Sequence, residues 1–388
     1  MYTYIFGILT VVLAFTIFLI RPDFSRFGIL WKHCLVIMLP YLVTILFSAV
    51  VWIVELSPAN VVSRGFFMPV YCLIGILAAG SALYLFGERG IYINLVSLLV
   101  ANIVKLLQQV SAYGTKAVVD DYVNLVRSFG GTTGAIAKEF ERYSYAYAFT
   151  IFMMYILLSG VKKKIRLGNV LLFLGCVLGF CVGFKRSALL GFAVGTFLGL
   201  LLMLVPEEKR KGVFKGGAVA AVILGQVIVM AIRGGLYHWL SDTFQINTMG
   251  RVEIYDAMKP YYEISPGFLG HGLGFVNRML SSGSIRVRLG LYYQVQDIHN
   301  DFLRMYIEIG QIGFLTWIWS LIYTRLRYFA DITNKKQAVL AFSCMAFWFV
   351  TFLSENIYYL YYAVLPLALV TMGSGLDEYI RERADDGR

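Results

Sequence analysis

Apolar runs of about twenty residues recur along the chain, at roughly 3–20, 33–54, 66–86, 91–110, 144–161, 167–184, 187–205, 216–233, 308–328, 337–353 and 358–374. Each is about as long as a helix must be to cross the hydrocarbon of a bilayer, ~30 Å at 1.5 Å per residue. Of the 388 residues, 59% are hydrophobic and 15% charged, against about 45–50% and about 25% in ordinary soluble domains. The mean hydropathy is +0.71. One soluble core could not hide that much apolar surface, so the pattern predicts an all-α polytopic membrane protein with about eleven transmembrane helices. It excludes a soluble enzyme, a disulfide-stapled secreted module and a disordered chain. It also excludes a transmembrane β-barrel, whose alternating strands would dilute the hydropathy.

The net charge is +11. In a soluble protein that would suggest nucleic acid; here it is read as the Lys and Arg that collect in short cytoplasmic loops. One alternating set of loops holds Arg21, Arg26 and Lys32; Arg89; Lys162, Lys163, Lys164 and Arg166; Lys209, Arg210, Lys211 and Lys215; and Arg325, Arg327, Lys335 and Lys336. These are expected in the cytoplasm, with the N-terminus outside and the tail from Asp377 to Arg388 inside. The first run lacks a basic leader and a cleavage site, and is expected to remain as a span. Cys34, Cys72, Cys176, Cys181 and Cys344 all fall in apolar runs and read as small buried residues.

The chain is expected to form a single membrane domain over 1–388, with two polar stretches outside. The first, 111–143, carries four basic and four acidic residues. The second, 234–304, precedes the ninth span. It is too short for an independent domain and too rich in Tyr, Phe, Leu and Gly for a linker, so it should pack back on the mouth of the bundle.

The candidate chemistry gathers on that outer side. Lys185-Arg186-Ser187 stands between two runs with almost no loop; the basic pair either snorkels to the interface or meets an anionic ligand. Arg251 opens a short helical pattern. Four glycines follow between Gly267 and Gly274, where the backbone can turn sharply around His271, itself expected to be a loop residue first. His299-Asn300-Asp301 stands at the mouth of a helix that at once becomes a span. Asn300 or Asp301 suits an N-cap, and His299 is the best proton acceptor near neutral pH. Arg304 and Glu308, four apart, can pair on one helix face. No Asp-x-Asp triplet, phosphate-binding Gly-x-x-x-x-Gly-Lys loop or His-Glu-x-x-His helix occurs, so no metal site and no cofactor are expected.

Three segments together resemble the bacterial O-antigen ligase/polymerase family of polytopic glycosyltransferases. They are Phe184-Lys185-Arg186-Ser187; Gly250-Arg251 followed by Phe268-Leu269-Gly270-His271-Gly272-Leu273-Gly274; and His299-Asn300-Asp301-Phe302-Leu303 leading to Glu308-Ile309-Gly310-Gln311-Ile312-Gly313. The resemblance implies a GT-C-like bundle acting on oligosaccharides linked to undecaprenyl pyrophosphate, at the outer face of the bacterial cytoplasmic membrane. It implies that Arg186 and Arg251 bind pyrophosphate and that His299 is catalytic; Lys185, where this sequence departs from the family pattern, is a further pyrophosphate-binding candidate. Asn300, Asp301, Arg304 and His271 are supporting candidates.

Charge builds on a departing pyrophosphate, and guanidinium groups can stabilise it without a metal. The expected activity is an inverting, metal-independent polymerase that passes a glycan chain to a lipid-linked repeat unit, with a chain-length regulator and a flippase as possible partners. The alternatives are a ligase that transfers the glycan to lipid A-core and, from another class, a transporter of the same lipid-linked glycan. Transporters tend to repeat their halves and to place charges near the midplane, whereas here the polar residues cluster on one face.

Overall fold

The structure is a computed structural model and describes residues 2–128, 136, 143–160, 166–244, 250–281, 297–332 and 335–386. Among the described residues every regular element is helical. In chain order these are α1 (Tyr2–Ile20), α2 (Phe24–Val54), α3 (Ala59–Phe86), α4 (Arg89–Tyr113), α5 (Thr115–Arg127), α6 (Tyr143–Gly160), α7 (Leu167–Val182), α8 (Arg186–Leu204) and α9 (Glu207–Arg233). The short α10 (Leu236–Phe244), α11 (Arg251–Met258) and α12 (Phe275–Ser281) follow. Then come α13, which starts at Asp301 and continues through a π turn to Ala330, α14 (Lys335–Phe352), α15 (Tyr361–Gly373) and α16 (Leu376–Asp386).

Each of the eleven apolar runs has most of its described residues on a helix. Among the described residues seven helices are long and apolar enough to cross a membrane: α2, α3, α4, α6, α8, α9 and α13. The apolar parts of α1 and α7 are shorter, and α14 and α15 are largely interior. In α4 and α9 only 17% and 22% of the most apolar window is buried. Helices that present so much hydrocarbon outward are stable where the surrounding solvent is itself hydrocarbon. The chain is therefore an integral membrane protein. The five cysteines are free thiols within it, all buried except the partly buried Cys181.

The tightest helix contact explains where the polar residues meet. Gly191, Gly195 and Gly199 form a small-residue stripe on α8, and α14 lies directly on it. A Cβ on Gly195 would fall 2.8 Å from the Ser343 carbonyl, and one on Gly191 would fall 2.8 Å from the Phe347 ring. Small residues at this spacing allow close helix approach in a membrane. The two helices run in opposite directions, so the start of α8 at Lys185–Ser187 is held beside the chain leaving α14 at Leu353–Glu355.

A second device shapes the same end of the bundle. α13 breaks at Gly310, where φ is +70°, a conformation glycine adopts without steric cost. The freed backbone groups are paired by the glycine-rich loop: Gln311 N donates to Phe268 O at 2.9 Å, His271 N to Ile307 O at 3.1 Å and Gly272 N to Glu308 O at 2.7 Å. The 268–274 segment thus returns to pack on the bundle.

The opposite end carries its own ion pairs. Arg26 Nη2 lies 2.5 Å from Asp377 Oδ1, Lys211 pairs with Asp331 at 3.2 Å and Lys336 with Glu378 at 3.1 Å. The expected loop charges Lys162, Lys163 and Lys164, and residues 129–135, 137–142, 245–249 and 282–296 of the two polar stretches, lie outside the described residues. Most of the expected loop charges stand on helix ends instead, and two are buried: Arg210 on α9, 7% exposed, and Arg325. Arg325 is not in a loop; it is 1% exposed inside the bundle and donates to the Ile37 carbonyl.

Candidate active site

At the end of the bundle where α8 begins and α14 finishes, four side chains converge on Glu355. Lys185, the residue that caps α8, places Nζ 3.3 Å from Glu355 Oε1, and Ser187 Oγ is 3.4 Å from the same oxygen. Arg251, the first residue of α11 after the left-handed Gly250, donates Nη2 to Ser354 O at 3.0 Å and lies 3.9 Å from Glu355 Oε1. His299 Nδ1 is 3.6 Å from Glu355 Oε2. Tyr147 OH completes the ring of polar groups, 3.2 Å from Ser187 Oγ.

The local chain explains why His299 points there. Asn300 is the N-cap of α13: its side-chain oxygen accepts Leu303 N at 2.9 Å, and its Nδ2 donates to Leu353 O at 3.0 Å. Asp301 Oδ2 accepts Ile357 N and Tyr358 N at 2.8 and 2.9 Å. These two residues clamp the chain between α14 and α15 to the head of α13. His299 then turns out of the helix with φ +52°, a region few non-glycine residues occupy and which persists only when the surroundings hold it. Tyr237 on α10 adds a further bond to Leu353 O, at 3.2 Å.

Glu355 governs the electrostatics. Burial works to raise its carboxyl, but the His299 hydrogen bond and the charges of Lys185, His299 and Arg251 outweigh that and bring it down to about 2. Its side chain is only 13% exposed, while that of His299 is 45% exposed. A carboxylate beside Nδ1 favours the tautomer with its proton there, which leaves Nε2 as the acceptor. One carboxylate faces two permanent cations, so the cluster keeps an excess of positive charge for an anion. Among the described residues no group of three or more His, Cys, Asp or Glu could hold a metal ion.

The other candidates lie around this cluster. Arg186 is exposed at the first residue of α8; Lys185, one position earlier, is the one that reaches Glu355. Arg304 is buried and bonds Glu308 Oε2 at 3.2 Å, Asp297 Oδ1 at 3.3 Å and Asn277 Oδ1 at 2.8 Å. Glu308 Oε1 in turn accepts Gly274 N at 3.0 Å and Val276 N at 3.2 Å. The expected Arg304–Glu308 pair is thus present and fixes the glycine-rich loop. His271 sits between Glu55, 3.0 Å from Nδ1, and Tyr261 O, 2.8 Å from Nε2. It contacts neither Glu355 nor His299.

Glu355 is the residue that sequence reasoning missed. It lies in the few polar residues between two apolar runs, and it is the only charged residue between Lys336 and Asp377. A lone charge in so apolar a stretch is costly unless paired, and that was the available signal.

The fold and this cluster define a polytopic helical membrane protein with a cation-rich polar site at one end of its bundle. Residues 170–318 match the family model described as O-Antigen ligase, so this part of the chain is similar to that family, whose members are glycosyl-transferring enzymes. The matched segment runs from α7 into α13 and includes Lys185, Arg186, Arg251, His271, His299, Asn300, Asp301 and Arg304, whereas Glu355 lies beyond it. Comparison with the curated proteins finds no match.

Proposed function

We propose that the chain is a polysaccharide polymerase. It moves a glycan chain from undecaprenyl pyrophosphate to a lipid-linked repeat unit, at the outer face of the bacterial cytoplasmic membrane. In this reading all eleven apolar helices belong to one GT-C-like membrane domain, with the N-terminus outside and the C-terminus in the cytoplasm. The observation that carries the chemistry is the convergence of Lys185, Arg251 and His299 on Glu355.

In the proposed reaction a hydroxyl of the acceptor sugar attacks the anomeric carbon from the face opposite the pyrophosphate. The new C–O bond forms as the bond to the phosphate oxygen breaks, so the configuration inverts. His299 Nε2 takes the hydroxyl proton, while Glu355 beside Nδ1 stabilises the resulting imidazolium. The electron pair of the broken bond leaves with the pyrophosphate. Arg251 and Lys185 supply the charge that meets it, and Arg186 at the start of α8 adds to the positive helix terminus. These cations belong to the chain itself, which supports a metal-independent transfer. The polyprenyl tail stays in the lipid while the mouth of the bundle shields the reacting groups from water.

The test uses purified protein, a defined undecaprenyl-pyrophosphate repeat unit and no added metal, with lipid-linked product length read on a gel. A ladder that disappears in His299→Ala and Arg251→Ala supports the polymerase. A folded protein that yields no ladder, but labels added lipid A-core, is a ligase using the same donor site. Failure in both assays refutes the transfer reading.

A further inference from the structure

Arg325 is the most unusual charge in the molecule. It follows directly on the π turn Trp319–Thr324 of α13 and stands five residues before that helix ends at Ala330. A side chain of its length so close to a helix end can reach water by snorkelling. Instead it turns inward and is 1% exposed. One guanidinium nitrogen, Nη2, donates to Ile37 O on α2, and the guanidinium carbon lies 5.2 Å from the ring centre of Trp348 on α14. The polar groups that face it are the hydroxyls of Tyr41 and Tyr358, not a carboxylate.

Several polar atoms around it lack a hydrogen-bond partner. Arg325 Nε and Nη1, Trp348 Nε1 and Tyr358 OH are all buried without a hydrogen-bond partner. Arg325 and Trp348 are 1% exposed and Tyr358 is fully buried. Tyr358 stacks on Tyr41 with ring centres 4.6 Å apart and lies 6.2 Å from Trp348. Tyr41 has already given its own proton to Tyr358 O, at 3.1 Å. Guanidinium and indole N–H groups can only donate, so they cannot pair with one another; the Tyr41 and Tyr358 hydroxyls can offer lone pairs but no counter-charge. Stacking on Trp348 satisfies the face of the guanidinium and not its N–H edge. An unpaired charge and several unmet donors in a membrane interior are together expensive. One species offsets both, an acceptor that is also a counter-charge.

We propose that Arg325, Trp348 and Tyr358 form an internal binding site for a small monovalent anion of the chloride class, between α2, α13, α14 and the turn that precedes α15. The site is separate from the Glu355 cluster and does not depend on the activity assigned to it. The anion binds the folded bundle and has no such site in the unfolded chain, so it stabilises the fold by mass action.

The experiment melts the purified full-length protein in detergent, in sodium chloride and in sodium gluconate at equal ionic strength and pH. The expected result is a melting temperature that rises with chloride along a saturating curve, and does so with bromide as well. Bromide also quenches a fraction of the tryptophan emission that is missing in Trp348→Phe. Arg325→Met abolishes the chloride dependence. Superimposable melts in the two salts overturn the proposal, as does an undiminished chloride response in Arg325→Met, which would mark a general salt effect. Should Arg325→Met fail to fold, Trp348→Phe decides. Loss of one donor to an anion moves the chloride midpoint about tenfold, and an unmoved midpoint rejects the site.

Discussion

Asp301 Oδ2 accepts the backbone N–H of Tyr358 at 2.9 Å, and through that bond the head of α13 holds the chain that carries Glu355. His299 lies two residues before Asp301 and Glu355 three before Tyr358, so one buried carboxylate sets the distance between the proposed base and its partner. Asp301→Asn replaces the acceptor of both backbone bonds with a neutral amide, at about 1–3 kcal/mol of stability. We expect turnover to fall with little change in the apparent affinity for the lipid-linked donor. Initial rates across donor concentrations check this; an unchanged maximal rate would show that the clamp does not matter.

The cluster separates into residues that act on the proton and residues that act on the phosphate. His299→Ala should cost about 10²–10⁴-fold in turnover, the usual contribution of a positioned acid–base group. Arg251→Ala should weaken donor binding as well, and Arg251→Lys should restore it only in part, because an ammonium cannot present the paired donors of a guanidinium. Glu355→Gln should lower turnover without weakening donor binding, since it leaves both cations in place and removes the carboxylate that competes for them. Donor titrations of the four variants distinguish these outcomes.

Glu355 should also leave a mark on stability against pH. Its carboxyl is brought from an ordinary 4.5 down to about 2 in the folded protein. The unfolded chain therefore takes up the proton first as the pH falls. The stabilisation, on the order of 3 kcal/mol, is full above the ordinary carboxylate range and is lost as the pH drops from there through about 2. Wild type should thus melt well above Glu355→Gln at pH 7, and the gap should narrow on acidification toward pH 3. A gap that stays constant between the two pH values contradicts this.

Gly310 offers a test of the broken helix. Its φ is +70°, and a Cβ there would fall 2.3 Å from Phe268 O and from the Leu269 carbonyl carbon. Gly310→Ala combines an unfavourable conformation, about 1–3 kcal/mol, with displacement of the glycine-rich loop. A clear drop in melting temperature is expected. Gly216→Ala on α9 is the control, because nothing lies within 4 Å of its Cβ position and alanine is the better helix former. Equal melting of the two variants would show that the loop does not depend on the break.

Much of the molecule was legible from residues close together in the chain. The eleven apolar runs mark helices because apolar side chains over some twenty residues suit one solvent only. Asn300 reads as an N-cap, and Arg304 and Glu308 as a pair, because both relations span a single helical turn. His299 stands out at the mouth of an apolar run and Arg251 at the head of a short helical pattern, and the structure brings both to Glu355.

What local pattern could not reveal is which distant residues share an end of the bundle. Lys185, rather than its neighbour Arg186, reaches Glu355 because the α8 glycine stripe sets how closely and at what register α14 packs. Arg325 resembles a loop charge by its place near a helix end, yet a π turn and the facing Trp348 rotate it inward. Gly310 is one glycine among many in the sequence, and only the docked 268–274 loop requires its positive φ. The sequence by itself determined the helices, their caps and their short-range pairs, since those energies depend on neighbours a few residues apart. The site and the inward Arg325 were decided by tertiary packing, because their partners are brought together only when whole helices pack side by side.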